Sequence, residues 1–215
     1  MDLEQARHNM IEQQIRPWNV LDQQVLDTLS IIKREQFVPE ALRNLAFVDT
    51  ALPLPQRQYM LSPKIEARIL QAVKPQKHEQ ALEIGTGSGY LSALLAYHAQ
   101  SVTSIEIFPE LVELARHNLS RSYIDNVNVI TGNGARGWAG SYDVICISGS
   151  LLSLPQIFLN QLNVGGRIFA FIGEAPVITA QLITRTTVDR YHQSTLFETH
   201  VEPLIQVPYS SRFVF

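Results

Sequence analysis

The sequence predicts an α/β fold in which a mostly parallel β-sheet carries helices on both faces. Three observations support this prediction. Short apolar, strand-like segments alternate with helix-like segments between residues 80 and 171, which is typical of parallel strands joined by crossover helices. A glycine-rich turn, Gly85 to Gly89, follows the first strand and precedes a helix. Two further strands follow without an intervening helix, which predicts an antiparallel hairpin at one edge of the sheet.

The first 75 residues precede this alternation and have a different pattern. Leu3 to Leu45 are helical in pattern, with breaks at prolines. Residues 46–64 are proline-rich and irregular, and a long loop beside a compact domain is more often functional than a linker. A helix is predicted from Ile65 to Val73. We expect a single domain over residues 1–215, with a helical N-terminal extension and loop in 1–75 and an α/β core in 76–215.

The core is predicted to contain five parallel strands. In chain order they are Gln80–Ile84, Val102–Glu106, Val127–Ile130, Asp143–Ile147 and Arg167–Phe171. The predicted helices between them run from Tyr90 to His98, from Pro109 onward, and from Pro155 to Leu162, where Gly165 and Gly166 would end the last one. The edge hairpin is predicted from Leu182–Val188 and Ser194–Glu198.

Composition limits the classes of function. A net charge of −3 without a basic tract argues against nucleic-acid binding and against a polybasic membrane surface. No apolar run has the length of a transmembrane helix, and the acidic, polar N-terminus is not typical of a secretory signal. The only cysteine, Cys146, cannot form an internal disulfide, which favours a cytoplasmic location. The six histidines show no metal-ligand spacing, so no metal site is expected.

The segment Glu83 to Tyr90 reads Glu-Ile-Gly-Thr-Gly-Ser-Gly-Tyr and is the clearest sign of a ligand site. Its glycines allow positive φ angles and a close approach of the ligand to the main chain. The spacing is not that of a dinucleotide loop, because position 90 is Tyr, and a P-loop pattern is also missing. The Glu83 carboxylate would repel a pyrophosphate and suits a ligand with positive charge. S-adenosylmethionine, which carries sulfonium and ammonium groups, is such a ligand.

A second carboxylate supports this interpretation. Glu106 ends the second predicted strand, 21 positions after Gly85. This is close to the ~20-residue offset at which a carboxylate holds the ribose hydroxyls in a Rossmann-like fold. The alternative is that the glycines form only a tight turn and that Glu106 is a solvated strand end.

With these residues in view, the chain resembles the protein-L-isoaspartate O-methyltransferase family, which has a Rossmann-like fold and uses S-adenosylmethionine. The segment from Glu83 to Tyr90 matches the family's cofactor loop throughout. Further matches cover most of the chain, at Arg34–Pro39, Ala46–Asp49, Tyr142–Ile145 and Gly165–Ile168. The resemblance implies a methyl acceptor that is the carboxylate of an isoaspartyl residue in a damaged protein or peptide. The products would be a methyl ester and S-adenosylhomocysteine.

The resemblance and the motif together predict the site residues. Glu83 would face the amino group of the cofactor, Glu106 its ribose hydroxyls and Asn133 its adenine edge. Asn133 stands where the family has an aspartate, so it offers a carbonyl acceptor without charge. The predicted cofactor-binding residues are Glu83, Gly85, Thr86, Gly87, Ser88, Gly89, Tyr90, Glu106, Ile107, Asn133 and Gly134. The predicted substrate-binding residues are Tyr59, Leu61, Ser62, Pro63 and Ser148, with Ser62 as the candidate catalytic residue.

The loop from Tyr59 to Lys64, which would cover the methyl acceptor and is called the acceptor loop here, departs from the family pattern. Aligned on Gln58 and Pro63, the family's active-site serine falls at Leu61, and a serine follows one residue later at Ser62. A carboxylate is ionised at neutral pH, so methyl transfer to it depends mainly on orientation, to which a hydroxyl donor would contribute. In an extended segment, a shift of one residue reverses the facing of the side chain, whereas in a loop a local kink, which Pro63 would favour, could restore it. The departure predicts weak or absent isoaspartyl methylation with cofactor binding retained.

Several alternatives stay open at the level of sequence. Ser62 could instead be a cap residue of the helix that follows, and Ser148 could belong to a plain loop. The acceptor could be a small metabolite rather than an isoaspartyl residue. The chain could also be a non-catalytic protein that binds S-adenosylmethionine and has lost the chemistry.

Overall fold

The structure, a computed structural model, describes residues 2–206 of the chain. Its N-terminal part is helical, with a first helical stretch that runs without a break from residue 3 to residue 18 and shorter helices after it. Asp2 and Asp22 each cap a helix, because their carboxylates accept backbone N–H groups of the following turn. The two helices are α1, Leu3–Met10, and α2, Gln23–Ile31. Single turns of other helical types lie at Ile11–Ile15, Arg16–Trp18, Arg34–Gln36 and Glu40–Leu45.

The proline-rich segment is ordered into a small hairpin that leads into a helix. Strand β1, Leu52–Pro53, pairs antiparallel with β2, Tyr59–Met60. Helix α3 follows as Pro63–Val73. It begins two residues before the predicted start, because Pro63 occupies the first helical turn, where its missing N–H costs no hydrogen bond.

A seven-stranded sheet forms the rest of the chain. Its order is β5-β4-β3-β6-β7-β8-β9, with the first five strands parallel and the last two antiparallel to their neighbours. The strands are β3 Gln80–Ile84, β4 Ser101–Glu106, β5 Val127–Thr131, β6 Tyr142–Leu151, β7 Leu162–Glu174, β8 Val177–Thr187 and β9 Arg190–Thr199. The helices between them are α4 Tyr90–His98, α5 Pro109–Arg121 and α6 Gln156–Asn160. The predicted fold class, with its antiparallel edge hairpin, is confirmed.

The predicted boundaries are wrong near the edge of the sheet. Helix α6 ends at Asn160, and Leu162 already belongs to β7, where it pairs with Tyr142. Gly165 and Gly166 therefore lie inside a strand, at an irregularity of its register, and do not end a helix. The hairpin strands β8 and β9 are also longer than predicted, because their polar residues alternate on an exposed face.

The two faces of the sheet are covered unequally. Alternate residues such as Ala81, Val144 and Cys146 pack in the larger core, which contains the helices of the N-terminal part together with α4 and α5. Residues of the opposite face, such as Leu82 and Ile145, pack in a smaller core with α6. Helices lie on both faces, as predicted, but the second face is covered mainly by one short helix and the segment around Trp138.

The order of the strands defines where a ligand can enter. From β3 the chain runs through α4 to β4 on one side, whereas β6 on the other side of β3 continues through α6 to β7. The crevice at the carboxyl ends of β3 and β6 is therefore the switch point at which ligands bind in open α/β sheets. No helix within residues 2–206 is both long and apolar enough to cross a membrane.

Candidate functional site

A cleft of about 540 Å³ opens at this switch point. All the predicted site residues line it except Gly89 and Pro63. The lining residues are Tyr59, Leu61, Ser62, Glu83, Gly85, Thr86, Gly87, Ser88, Tyr90, Glu106, Ile107, Asn133, Gly134 and Ser148. Among the residues that the structure describes, no group of three or more His, Cys, Asp or Glu side chains could hold a metal ion.

Gly89 and Pro63 are not among the residues that line the cleft, and the ligand contacts predicted for them stay predictions. Gly89 caps α4 with a φ of +85°, and a Cβ at this position would lie 3.2 Å from the Cβ of Ala115. Its glycine is needed for close packing of α4 against α5. Pro63 is buried at the first position of α3. Both residues lie at the start of a helix whose first turn adjoins the cleft.

The glycine loop and Glu106 form one unit. Gly85 and Gly87 have φ angles of +92° and +55°, which favour glycine. The carboxylate of Glu106, 5% exposed, accepts the backbone N–H of Gly87 at 3.0 Å and that of Phe108 at 3.1 Å. Glu106 therefore holds the loop after β3 and the start of α5 in place while it also lines the cleft.

Glu83 is fully buried beneath the loop, with one carboxylate oxygen satisfied and one free. Its Oε2 accepts hydrogen bonds from the hydroxyls of Ser92 and Ser104, the latter at 2.6 Å. Its Oε1 has no hydrogen-bond partner among the described residues. Burial raises the pKa of Glu83 to about 8, although the two serine hydroxyls lower it. A cation placed at Oε1 would satisfy this oxygen and favour the ionised carboxylate.

Asn133 lies in the cleft after β5, but its side chain already has local partners. Its Oδ1 accepts the backbone N–H of Ala135 at 3.0 Å, and its Nδ2 donates to Gln206 Oε1 at 3.2 Å. The carbonyl that the sequence assigns to the adenine edge is thus shared with a turn. Gly134 must be glycine, because a Cβ there would lie 2.7 Å from Ile84 Cδ1.

Ser62 is one of the residues that line the cleft. It occupies the position before α3, is 9% exposed, and its side chain makes no capping hydrogen bond. Leu61 lines the same cleft, so the shift by one residue does not turn Ser62 away. Residues 58–62 all belong to the lining, so strand alternation does not divide this segment into residues that line the cleft and residues that do not. Weak methylation was expected because the shifted serine would be turned away from the cleft, and this reason no longer applies. Methylation of an isoaspartyl residue itself stays a prediction.

Ser148 lies opposite the glycine loop, near the carboxyl end of β6. Its hydroxyl oxygen is buried and has no hydrogen-bond partner among the described residues. A Cβ on Gly85 would lie 3.4 Å from the Cβ of Ser148, so the loop and β6 approach each other closely here. Ser148 is thus a second hydroxyl at the cleft, whereas Tyr59 is half exposed at its rim.

The segment after β9 also lines the cleft, which the sequence did not indicate. Residues 199–205 all belong to the lining. Ser150 holds them in place, because its N–H donates to Glu202 O at 2.9 Å and its C=O accepts from Leu204 N at 3.0 Å. Gly149 leaves the space for Leu204, whose Cδ2 would lie 2.8 Å from a Cβ there. The segment has no periodicity or motif by which it could have been found.

Residues 49–51 and Glu66 are further lining residues that the sequence did not predict. The sequence does contain a feature that could have indicated Glu66. It is an acidic residue on the apolar face of α3, which also contains Ile65, Ile69 and Leu70. A charged residue in such a stripe needs a buried partner or a ligand.

Comparison with known proteins found similar sequences along nearly the whole chain. A family model described as protein-L-isoaspartate(D-aspartate) O-methyltransferase matches residues 5–212. Protein-L-isoaspartate O-methyltransferase 2 of Marinobacter nauticus is 37% identical over 207 residues, which cover 95% of this chain and 94% of that protein. Protein-L-isoaspartate O-methyltransferase 1 of Rhodopseudomonas palustris is 38% identical over 203 residues, 93% of this chain and 82% of that protein.

Solved structures share the fold. A Plasmodium falciparum protein described as a beta-aspartate methyltransferase, crystallised with S-adenosyl-L-homocysteine, superimposes with a TM-score of 0.80. It is 20% identical, and the match covers 95% of this chain and 98% of that chain. A second structure, named protein-L-isoaspartate O-methyltransferase, has a TM-score of 0.79 at 24% identity and covers 92% of this chain and 65% of that chain.

Proposed function

The chain belongs to the protein-L-isoaspartate(D-aspartate) O-methyltransferase family, and we propose that it methylates the carboxylate of isoaspartyl residues in proteins or peptides. S-adenosylmethionine is the methyl donor. In this step the bond from sulfur to the methyl carbon breaks and a bond from carboxylate oxygen to that carbon forms. The products are S-adenosylhomocysteine and a neutral methyl ester. The observation that carries the proposal is a single cleft with buried carboxylates at the glycine loop and a free hydroxyl at the acceptor loop.

The cofactor would be held by charge and by close approach to the main chain. Oε1 of Glu83 is the free acceptor for its ammonium group. Glu106 accepts the ribose hydroxyls with the lone pairs that its two backbone donors leave free. Asn133 and Gly134 face the adenine end, and the loop from Gly85 carries the methionine part along its positive-φ backbone.

Methyl transfer would depend on the orientation of the acceptor carboxylate and not on a general base. An isoaspartyl carboxylate is already ionised at neutral pH, so no proton must be removed. The Ser62 hydroxyl can donate to one carboxylate oxygen and leave the other in line with the methyl group. Leu61 supplies apolar surface beside it, which keeps water from the reacting atoms.

The direct test is transfer of labelled methyl groups to a peptide with one isoaspartyl residue. The matched control is the same peptide with a normal aspartyl residue, which keeps the composition and charge. We expect base-labile methyl ester only in the isoaspartyl peptide. Binding of the cofactor without any transfer would contradict the proposal and favour the non-catalytic alternative. Transfer to a small metabolite but not to the peptide would favour a different acceptor.

Glu106→Ala should weaken binding of S-adenosylhomocysteine by more than tenfold. A charge-assisted hydrogen bond contributes about 1.5–3 kcal/mol, and the variant also releases the N–H groups of Gly87 and Phe108. Glu106→Gln should lose less, because one carbonyl acceptor remains. Calorimetry measures both, with Glu113→Gln on the exposed face of α5 as control. Equal affinities for all the variants would show that Glu106 does not touch the cofactor.

Binding of S-adenosylhomocysteine should tighten as the pH rises from 6 to 8. The pKa of Glu83 is about 8 in the ligand-free protein, against its ordinary 4.5, and a bound ammonium group would lower it. Binding then releases a proton, so the affinity rises with pH by at most about tenfold per unit and levels off above the raised pKa. Calorimetry in buffers with different ionisation enthalpies counts this proton. Glu83→Gln should bind with no such proton release, and an unchanged count in that variant would disprove the assignment.

Two expectations from the sequence stay predictions. One is the single-domain organisation over residues 1–215, and the other is the cytoplasmic location. We propose both for the native protein.

A further inference from the structure

Arg34 is a fully buried arginine whose guanidinium group links three segments on the acceptor side of the cleft. These segments are called the acceptor wall here. The Arg34 Nε donates to Glu66 Oε2 at 3.0 Å, its Nη1 to Ala46 O at 2.6 Å and its Nη2 to Leu61 O at 2.6 Å. The guanidinium also lies 5.6 Å from the ring centroid of Tyr90. Arg34 has no exposed surface, so all of these interactions are made away from bulk water.

Each partner of Arg34 belongs to the wall of the cleft or leads into it. Leu61 and Glu66 line the cleft directly. Ala46 begins the turn that leads to the lining residues 49–51. The three partners belong to different elements, the turn at Ala46, the loop at Leu61 and helix α3 at Glu66, and Arg34 contacts all of them with one planar group. Ser62 lies between Leu61 and α3, so its position depends on two of these contacts.

We propose that Arg34 is a positioning residue that holds the acceptor loop in register with the cofactor loop, by fixing the Leu61 carbonyl and the Glu66 carboxylate. It touches neither substrate nor cofactor. The proposal rests on the proposed function, because it assigns Arg34 to the acceptor half of the same cleft.

A purely structural role explains the arrangement less well. Burying two charges costs several kcal/mol per ion, and well-packed apolar residues of similar volume are often as stabilising as a buried ion pair. An apolar pair could not donate to the carbonyls of Ala46 and Leu61. Arginine can, because its planar fork presents several donors in fixed directions, and a lysine has only a compact ammonium group. A charged arginine is therefore explained at this position by the fixed directions in which it holds the two backbone carbonyls.

The chain contains a matched control in the neighbouring pair. Arg7 is 2% exposed and pairs with Glu35, which directly follows Arg34 in the sequence. Neither Arg7 nor Glu35 lines the cleft. Arg7→Lys therefore disturbs a buried ion pair of the same type outside the cleft lining, although the Arg7 guanidinium also lies 5.9 Å from the ring centroid of Phe47.

The experiment compares Arg34→Lys with Arg7→Lys in the full chain. We expect Arg34→Lys to lower kcat/KM for an isoaspartyl peptide about tenfold or more, because small displacements of orienting groups have effects of this size. The loss should appear mainly in KM for the peptide, while the affinity for S-adenosylhomocysteine stays near that of the native protein. Arg7→Lys should leave both quantities near native values. Equal losses in the two variants, or an equal loss of cofactor affinity in Arg34→Lys, would overturn the proposal.

Hydrogen exchange provides a readout that does not depend on turnover. Amides of residues 59–62 should exchange faster in Arg34→Lys and not in Arg7→Lys, whereas the segment around Phe47 lies beside both arginines. If the native protein fails to methylate the peptide but this exchange pattern appears, the proposed function fails and the positioning role stands. If the peptide is methylated but exchange in residues 59–62 is unchanged, the positioning role fails alone.

A double variant covers the case in which Arg34→Lys does not fold. Arg34→Met with Glu66→Leu replaces the pair with apolar side chains of similar volume. We expect a folded protein, by thermal denaturation, that binds S-adenosylhomocysteine but has a raised KM for the peptide. Native KM in this double variant would show that packing alone positions the loop, which overturns the proposal.

Discussion

A Gly87→Val protein should lose measurable affinity for S-adenosylmethionine and S-adenosylhomocysteine. Gly87 has a φ of +55°, where a β-branched residue is strongly strained. A Cβ at this position would also lie 3.3 Å from Leu54 Cδ1, which is tight. The loop can relieve the strain only by moving, and it then loses the hydrogen bond from Gly87 N–H to Glu106. Calorimetric titration with S-adenosylhomocysteine measures the loss.

The matched control for this variant is Gly165→Val. Gly165 has a φ of +85°, so the same substitution causes comparable backbone strain. It is exposed in β7, nothing lies within 4 Å of its Cβ position, and it is not part of the cleft lining. We expect a lower melting temperature in both variants but loss of binding only in Gly87→Val. Affinity like that of the native protein in Gly87→Val would refute the placement of the cofactor on this loop.

Ser62→Ala should lower the turnover of an isoaspartyl peptide by about tenfold to a hundredfold, with little change in cofactor affinity. The change removes one hydroxyl that orients the carboxylate, and losses of this size follow when an orienting group is removed. The fold should not suffer, because the Ser62 side chain makes no capping hydrogen bond to α3. Steady-state kinetics with the isoaspartyl peptide gives the turnover, and calorimetry gives the affinity. Ser30→Ala, on the exposed surface of α2, is the control.

Leu61→Ser tests the alternative origin of the hydroxyl. If Ser62 already orients the carboxylate, a serine at position 61 should add little. A silent Ser62→Ala together with a more active Leu61→Ser would show that Ser62 is only structural. Turnover in Ser62→Ala that stays as high as in the native protein would also contradict the role assigned to Ser62. The free hydroxyl of Ser148 would then be the next to replace.

Much of the cofactor half of the site could be predicted because its signals are local. Glu83 lies near the end of β3, Gly85 and Gly87 lie in the turn that joins this strand to α4, and the glycine spacing indicates the positive φ angles. Glu106 follows from the length of one strand-helix-strand unit. The parallel order of the strands makes these residues converge on one edge of the sheet. Gly89 shows the limit of this reasoning, because it belongs to the motif but packs against α5 and not against the cleft.

The sequence by itself determined the fold class, the glycine loop and the carboxylates at the ends of β3 and β4, since periodicity and spacing act over a few residues. Only the tertiary structure brought the acceptor loop to the cleft, where both Ser62 and Leu61 line it. It also placed residues 199–205 against Ser150 and connected Arg34 to Leu61 across 27 positions. These contacts join segments that are distant along the chain. Their energy comes from burial and hydrogen bonding between different elements, which no local pattern of residues records.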